Sequence, residues 1–204
     1  MKVLRAEFLK TATRAAEWPP ERVPELAFAG RSNVGKSSML NALAGRNGLA
    51  RVSGTPGRTR ALQFFELEVQ PAPAAPPIRL RFCDLPGYGY AKVSRSEQAG
   101  WARMIEEYLS GRDELRAVVL IVDARREPPA SDGEALAFLA RQGRPVVVAA
   151  TKMDKLGKSR RPGAARAAEK ALGVEPGSVV SFSAVEGSGS DALWARILEL
   201  VRSP

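Results

Sequence analysis

The longest apolar runs in the chain lie at residues 117–123 (AVVLIVD) and 145–151 (PVVVAAT). Continuous runs of this kind are typical of parallel strands that are buried on both faces of a sheet. A segment of mixed apolar and charged residues at 3–12 predicts a first strand. Further strands are predicted at residues 25–29, 61–69, 78–83 and 178–182.

Between these strands, apolar residues recur at the spacing of amphipathic helices. The predicted helices span residues 37–44, 96–109, 131–141, 166–172 and 191–201. Gly45 follows the first of them and suits a helix C-cap. The second carries a stripe that we interpret as facing the core, formed by Trp101, Met104, Ile105, Tyr108 and Leu109. Strands that alternate with helices predict an α/β fold with a mostly parallel, doubly wound sheet and helices on both faces.

Two proline-rich segments are predicted to connect strands. The segment PAPAAPP at residues 71–77 separates two predicted strands, and proline cannot donate to a strand ladder. We therefore expect an exposed hairpin connection and one antiparallel hairpin strand. The other segment, EWPPERVP, lies at residues 17–24. Since no internal repeat or second apolar block is evident, residues 1–204 are predicted to form one domain, with residues 1–24 as its N-terminal strand and connection.

The composition narrows the range of partners and chemistry. The 31 Lys and Arg residues outnumber the 22 Asp and Glu residues, which gives a formal net charge of +9. This excess favours a polyanionic partner such as nucleic acid, a ribonucleoprotein or an anionic membrane, with a merely solubilising surface as the alternative. Histidine is absent, which excludes histidine metal sites and histidine general bases. The single cysteine, Cys83, allows no intrachain disulfide, and we interpret it as a core residue in a cytoplasmic protein.

Residues 30–37, GRSNVGKS, match the phosphate-binding pattern G-x-x-x-x-G-K-[ST] between a predicted strand and a predicted helix. Glycines let backbone N–H groups turn towards phosphate oxygens, and the helix N-terminus favours anions. We expect Lys36 to bridge the β- and γ-phosphates and Ser37 to ligate Mg²⁺. The predicted phosphate contacts of this segment are Gly30, Arg31, Ser32, Asn33, Val34, Gly35, Lys36, Ser37 and Ser38.

A second motif, Asp84-Leu85-Pro86-Gly87, follows the strand predicted at residues 78–83. A carboxylate at a strand end can hold Mg²⁺, and here we expect Asp84 to do so through a water molecule. The Gly87 N–H can contact the γ-phosphate, so this loop would sense whether that phosphate is present. The pattern D-x-x-G is weak alone and gains weight from its position after the phosphate-binding loop.

A third motif, Thr151-Lys152-Met153-Asp154, lies at the end of a predicted strand. The Asp154 carboxylate can accept hydrogen bonds from guanine N1–H and the 2-amino group, which adenine lacks, so Asp154 is expected to select guanine. The Lys152 stem is expected to lie over the purine face. A backbone N–H of Ser183-Ala184 is expected near guanine O6. The predicted guanine contacts are Thr151, Lys152, Asp154, Ser183 and Ala184.

The threonine that should reach Mg²⁺ and the γ-phosphate is ambiguous from the residues alone. Thr55 and Thr59 both lie in the loop predicted at residues 49–60, within the sequence TPGRTR. Pro56-Gly57 is a turn signal, so a simple turn is the alternative interpretation of this segment.

Taken together, GRSNVGKSS, TPGRTR, DLPGYGYA, TKMDK and SFSA resemble the EngB (YihA/YsxC) family of bacterial ribosome-biogenesis GTP-binding proteins, translation-factor class GTPases near Era. The resemblance covers nearly the whole chain, and DLPGYGYA is its most specific part. It implies a cytoplasmic GTPase that uses Mg²⁺ and acts in assembly of the large (50S) ribosomal subunit, with a link to cell division and septation. It also implies that Thr59 is the switch threonine and Thr55 the turn residue. We further expect a monomer that binds GTP or GDP and does not bind DNA.

One position shapes the expected hydrolysis rate. Ras-like GTPases carry a water-orienting glutamine directly after D-x-x-G, whereas this chain has Tyr88. We therefore expect slow intrinsic hydrolysis, with Thr59 and Gly87 as candidate catalytic contacts. Arg58 and Arg60 could stabilise charge, although arginines also occur there by chance in a basic protein. The resemblance further suggests that Asn33 helps to hold a K⁺ ion that stimulates hydrolysis.

Two other functions compete with a GTP-controlled switch that binds a ribosomal precursor. A P-loop kinase of nucleotide metabolism would have no need of the TKMD motif. A membrane-associated GTPase is disfavoured, because we find no signal peptide, no basic amphipathic helix and no apolar run near the ~20 residues that span a bilayer. A ribosomal partner is favoured by a local basic run, with a solvated charged face as the alternative. That run comprises Lys155, Lys158, Arg160, Arg161, Arg166 and Lys170.

Overall fold

The computed structural model describes residues 1–50, 61–88 and 95–202 and, for residues 95–99 and 101, the backbone alone. These residues include a seven-stranded sheet in the order β1-β3-β4-β2-β5-β6-β7. The strands are β1 (Lys2–Ala12), β2 (Glu25–Gly30), β3 (Leu62–Gln70), β4 (Ile78–Asp84), β5 (Leu115–Asp123), β6 (Val146–Thr151) and β7 (Val180–Ser181). Within this sheet, only β3 runs against its neighbours, β1 and β4, and the other pairings are parallel. The predicted mostly parallel sheet with one antiparallel hairpin strand is confirmed.

Helices cover both faces of the sheet, as predicted. They are α1 (Lys36–Leu43), α2 (Arg95–Gly111), α3 (Ala130–Arg141), α4 (Arg161–Leu172) and α5 (Ser190–Arg202). The first and last pack on one face, and α2, α3 and α4 pack on the other. Among the described residues, no helix combines the length and the apolar character that crossing a membrane requires.

The apolar run of β5 is explained by burial on both sides. Val119 and Ile121 face the layer of α1 and α5, whereas Val118 and Leu120 face the layer of α2 and α3. All four side chains are fully buried. A central strand of this kind needs no polar side, because helices remove water from both of its faces.

The predicted bounds differ most from the structure in α4 and β7. Helix α4 begins at Arg161 instead of residue 166, because Pro162 occupies the first turn, where its missing N–H costs no helical hydrogen bond. Strand β7 holds two residues instead of the five predicted, because the Ser178 N–H is already used in a turn with the Glu175 carbonyl. The interpretation of Cys83 as a core residue is confirmed, and burial raises the pKa of its thiol.

The apolar stripe predicted on α2 is confirmed where the side chains are described. Met104, Tyr108 and Leu109 are buried against the sheet, and Ile105 is partly buried there. The side chain of Trp101 lies outside the described residues. This packing fixes the C-terminal half of α2 on the sheet.

A buried ionic cluster holds the start of β2, at the opposite end of the strand from the phosphate-binding loop. The Glu25 carboxylate is fully buried and accepts hydrogen bonds from Arg112 at 2.6 and 3.0 Å and from the Tyr108 hydroxyl at 2.9 Å. The Arg81 guanidinium, also fully buried, lies 3.5 Å from it. Because unpaired buried charges are strongly destabilising, this cluster fixes β2 relative to α2 and β4.

Candidate functional site

The phosphate-binding motif forms the turn between β2 and α1. A Cβ atom on Gly30 would lie 2.9 Å from Val34 Cγ1 and 3.0 Å from the Ile121 carbonyl oxygen, so the loop closes tightly only with glycine. Helix α1 then begins at Lys36, and its first N–H groups have no partner within the helix. The turn therefore presents backbone donors and a favourable helix dipole at one edge of the sheet, as an anion site requires.

The lysine of this loop lies directly against the aspartate of the second motif. Lys36 Nζ donates to Asp84 Oδ1, and both side chains are nearly buried. Burial raises the pKa of Asp84, and the Lys36 ammonium partly offsets this effect. The two residues meet because β2 and β4 are parallel neighbours, so their carboxyl ends lie side by side. A lysine held in this way is suited to bind a phosphate, and the carboxylate beside it is suited to bind a divalent cation.

The oxygen donors near this pair fit Mg²⁺. Ser37, the second residue of α1, offers a hydroxyl and Asp84 offers a carboxylate. Among the described residues, no group of three or more Asp, Glu, Cys or His side chains could hold a metal ion. Mg²⁺ sites commonly combine one or two protein oxygens with waters and substrate phosphates, and the Ser37 hydroxyl and the Asp84 carboxylate are oxygen donors of this kind.

The third motif, Thr151–Asp154, which we call the guanine motif, contacts the phosphate-binding loop directly. The Thr151 hydroxyl donates to the Val34 carbonyl at 2.7 Å, and Lys152 Nζ donates to the Asn33 carbonyl at 2.7 Å. Lys152 Nζ also contacts Asp123 Oδ2 at 3.0 Å. The structure thus brings together two segments that lie more than a hundred residues apart in the sequence.

Asp154 lies beside the loop that follows β7. The Ser183 hydroxyl donates to Asp154 Oδ1 at 2.8 Å, which lowers the pKa of Asp154. The Ser183 N–H donates to the Ser188 carbonyl at 3.0 Å, which leaves the Ala184 N–H as the backbone donor of this pair. An ionised, partly exposed carboxylate next to a backbone donor is the arrangement that guanine recognition needs.

Two residues that support this side of the site were not identified from the sequence. Asp123 is the last residue of β5. Its Oδ2 accepts hydrogen bonds from Lys152 Nζ and, at 2.8 Å, from the Arg125 guanidinium. Burial alone would raise the pKa of Asp123, but the hydrogen bonds from Arg125 and Lys152 lower it. Its position at the carboxyl end of a central strand was the signal that could have identified it.

The other missed residue is Gly189, which has φ +81°. A Cβ atom there would lie 1.9 Å from the Ser181 carbonyl oxygen, so this glycine lets the loop at 183–189 approach β7. Nothing in the sequence distinguishes it from the other glycines of this loop.

Other predicted residues lie either outside the described part of the chain or in and beside the phosphate-binding loop. Thr55, Arg58, Thr59 and Arg60 lie outside the described residues, and their roles stay predictions. Ser38 is a partly buried residue of α1, and Ser32 and Arg31 lie in the loop before it. Gly87 packs directly against that loop.

Comparison with known proteins identifies the family. Residues 25–152 match the family described as 50S ribosome-binding GTPase. The chain is 67% identical over 197 residues to the probable GTP-binding protein EngB of Anaeromyxobacter sp. strain Fw109-5, covering 97% of this chain and 91% of that protein. It is 46% identical to the protein of the same name from Streptococcus gordonii, covering 96% of this chain and 95% of that protein.

Solved structures agree with this assignment. The crystal structure of a probable GTP-binding protein engB superposes with a TM-score of 0.64 at 26% identity, covering 87% of this chain and 98% of that one. Era in complex with MgGDPNP and nucleotides 1506–1542 of 16S ribosomal RNA gives a TM-score of 0.67 at 26% identity, covering 90% of this chain and 58% of that one. These matches decide against a P-loop kinase. The chain belongs to the 50S ribosome-binding GTPase family and, within it, to the EngB GTP-binding proteins.

Proposed function

We propose that this GTPase acts as a nucleotide-controlled switch in assembly of the large ribosomal subunit. The observation that carries the proposal is the single edge of the sheet at which Lys36 meets Asp84, Lys152 meets Asn33 and Asp154 meets Ser183. One end of this edge suits phosphates and the other suits a guanine base. The description of the family as ribosome-binding supports the partner. We place the protein in the cytoplasm, as a monomer that forms one GTP-binding domain.

The proposed nucleotide contacts combine this geometry with the sequence motifs. We propose that residues 30–38 together with Gly87 and Thr59 hold the phosphates, and that Thr151, Lys152, Asp154, Ser183 and Ala184 hold the base. Ser37, Thr59 and, through water, Asp84 would hold Mg²⁺. When bound, the ion would supply positive charge that offsets the negative charge of the phosphates. The roles of Thr59 and Gly87 in hydrolysis, and a link to cell division and septation, stay predictions.

We propose slow hydrolysis that K⁺ stimulates. The Tyr88 hydroxyl already donates to Asp132 at 3.0 Å, so it is engaged on the protein and does not offer the water-orienting amide of a glutamine. Asn33 lies exposed in the phosphate-binding loop, with its backbone in the left-handed region at φ +62°. Single-turnover hydrolysis should be faster in KCl than in NaCl. Fast turnover in NaCl alone would contradict both parts.

The basic run after the guanine motif offers a surface for ribosomal RNA. Arg160, Arg166 and Lys170 are exposed and form no ion pair with any other described residue. Glu169, the only acidic residue of α4, points inward and accepts from the Gly177 N–H at 2.8 Å. In contrast, the Arg161 guanidinium donates to the Glu186 carboxylate at 2.7 Å, which neutralises its charge. The charged side chains on the exposed face of α4 are therefore all basic, which favours contacts with backbone phosphates.

The proposal is tested by co-sedimentation with the large ribosomal subunit, in GDP and in a non-hydrolysable GTP analogue, at several KCl concentrations. We expect tighter binding with the GTP analogue, because only this nucleotide offers a γ-phosphate for Thr59 and Gly87 to contact, so the surface that includes them would differ between the two nucleotide states. The triple variant Arg160→Gln, Arg166→Gln, Lys170→Gln should lower the slope of log affinity against log salt by roughly one for each RNA phosphate that the variant no longer neutralises.

The matched control removes three exposed cations elsewhere, through Lys2→Gln, Arg141→Gln and Arg196→Gln. This control should bind the subunit like the unmodified protein if α4 is the docking face. Equal affinity in the two nucleotide states would contradict the switch, and a flat salt response would contradict the RNA surface.

A further inference from the structure

Tyr88, the residue that follows Gly87, is fixed to the phosphate-binding loop through its backbone. The Ser32 N–H donates to the Tyr88 carbonyl at 3.3 Å, and the Tyr88 N–H donates to the Gly30 carbonyl at 3.3 Å. These bonds form a parallel bridge between Arg31 and Tyr88. A Cβ atom on Gly87 would lie 3.1 Å from Ser32 N, so Gly87 packs closely on the loop. Where Tyr88 sits therefore determines where the Gly87 N–H sits.

The side chain of Tyr88 is fixed to a different element. Its hydroxyl donates to Asp132 Oδ1 at 3.0 Å, and Asp132 lies in the first turn of α3 with only 2% of its surface exposed. Arg31 and Arg126 also act on this carboxylate as positive charges, and Asp123 acts as a negative one. Among the described residues, Tyr88 is the only side chain that donates a hydrogen bond to Asp132.

We infer that the Tyr88–Asp132 hydrogen bond is a positioning device that sets the preference of the site for GTP over GDP, by anchoring Gly87 from α3. The inference rests on the proposed role of Gly87 as the contact to the γ-phosphate. GDP has no γ-phosphate, so its affinity does not depend on where Gly87 lies. GTP binds more tightly when the Gly87 N–H is already in place, because less ordering is then needed on binding.

The test compares the affinity for GDP with that for a non-hydrolysable GTP analogue, in the full chain with Mg²⁺. Tyr88→Phe keeps the ring and removes the hydroxyl, and Asp132→Ala removes the acceptor. Each variant should weaken binding of the GTP analogue roughly tenfold, as expected for loss of a hydrogen bond to a charged group, and leave GDP binding within about twofold. The double variant should weaken binding no more than either single variant, because the two side chains act as a unit.

Two further variants separate positioning from folding. Asp132→Asn keeps a carbonyl oxygen as acceptor, so it should retain the preference for the GTP analogue. Glu134→Gln, at an exposed position of α3, should behave like the unmodified protein. A general structural role would weaken the binding of both nucleotides or of neither.

The inference is overturned if Tyr88→Phe changes both affinities equally or changes neither, if it strengthens binding of the GTP analogue, or if the effects of the two single variants add. If the unmodified protein bound neither nucleotide, the proposed function would fail and the inference with it. If it binds both nucleotides with an unchanged ratio in Tyr88→Phe, the proposed function stands and only the inference fails.

Discussion

Gly189 offers a sharp test of how the guanine side of the site is built. Substitution by alanine would place a Cβ atom 1.9 Å from the Ser181 carbonyl oxygen. Ordinary contacts between such atoms are about 3.5 Å long, so the loop and β7 would have to separate by roughly 1.5 Å. Ser183, whose hydroxyl reaches Asp154, lies between these two contact points and would move with them.

The size of the effect follows from two contributions. A left-handed backbone costs a non-glycine residue about 1 to 2 kcal/mol. Overpacking adds about 1 to 3 kcal/mol, so Gly189→Ala should lower the free energy of unfolding by about 2 to 5 kcal/mol. Gly173 is a matched control, since it has φ +64° and a Cβ atom there would meet no heavy atom within 4 Å. Gly173→Ala should therefore lower the free energy of unfolding only by the backbone contribution, about 1 to 2 kcal/mol.

Urea unfolding gives the two stabilities, and calorimetry at a temperature where both variants are folded gives their GDP affinities. Displacement of Ser183 would disturb the Asp154 carboxylate that we propose binds guanine, so we expect GDP affinity to fall roughly tenfold or more in Gly189→Ala, as for loss of a hydrogen bond to a charged group. GDP affinity should not change in Gly173→Ala. Equal loss of stability in the two variants, or unchanged GDP affinity in Gly189→Ala, would refute the reasoning.

Four other substitutions are informative, the last of them as a control for the third. Asp154→Asn should shift binding from guanine towards xanthine nucleotides, which competition against labelled GDP would detect, and retained guanine preference would count against this base contact. Lys36→Ala should greatly weaken GTP and GDP binding, and it should also lower stability because its buried carboxylate partner is left unpaired; undiminished affinity in calorimetry would contradict its role. Arg112→Met should cost about 3 kcal/mol in urea unfolding, because Glu25 stays buried and keeps only the Tyr108 hydroxyl and the Arg81 guanidinium as partners. Arg79→Met, at a half-exposed ion pair, should cost less than about 1 kcal/mol, and similar costs for the two variants would refute the comparison.

The parts of the fold that the sequence predicted are those with local signals. The run at 117–123 is apolar throughout because β5 is buried on both faces, and this pattern needs no knowledge of its neighbours. The phosphate-binding motif likewise combines a turn, a helix start and a lysine within eight residues. Local chemistry of this kind fixes the type of element and the type of ligand.

The contacts that the supporting residues make could not be predicted, because they join distant segments of the chain. Asp123 acts through Lys152, which lies 29 positions further along the chain. Asp132 acts through Tyr88, 44 positions before it, and no local pattern links them. Gly189 is required by the approach of its loop to Ser181, which depends on how β7 joins the sheet.

The proposed function requires one edge of the sheet to bind both the phosphates and the base of the nucleotide. Calorimetric titration of the unmodified protein with GDP, GTP and ATP, each with Mg²⁺, tests this requirement. Lys36 and Asp84 would act on the phosphates and Mg²⁺ of any of these nucleotides, whereas Asp154 would bind only a guanine base. We predict binding of GDP and GTP, with ATP weaker by on the order of 10⁴-fold, because adenine would leave the Asp154 carboxylate without its partners. ATP binding as tight as GTP binding would contradict the assignment of the site.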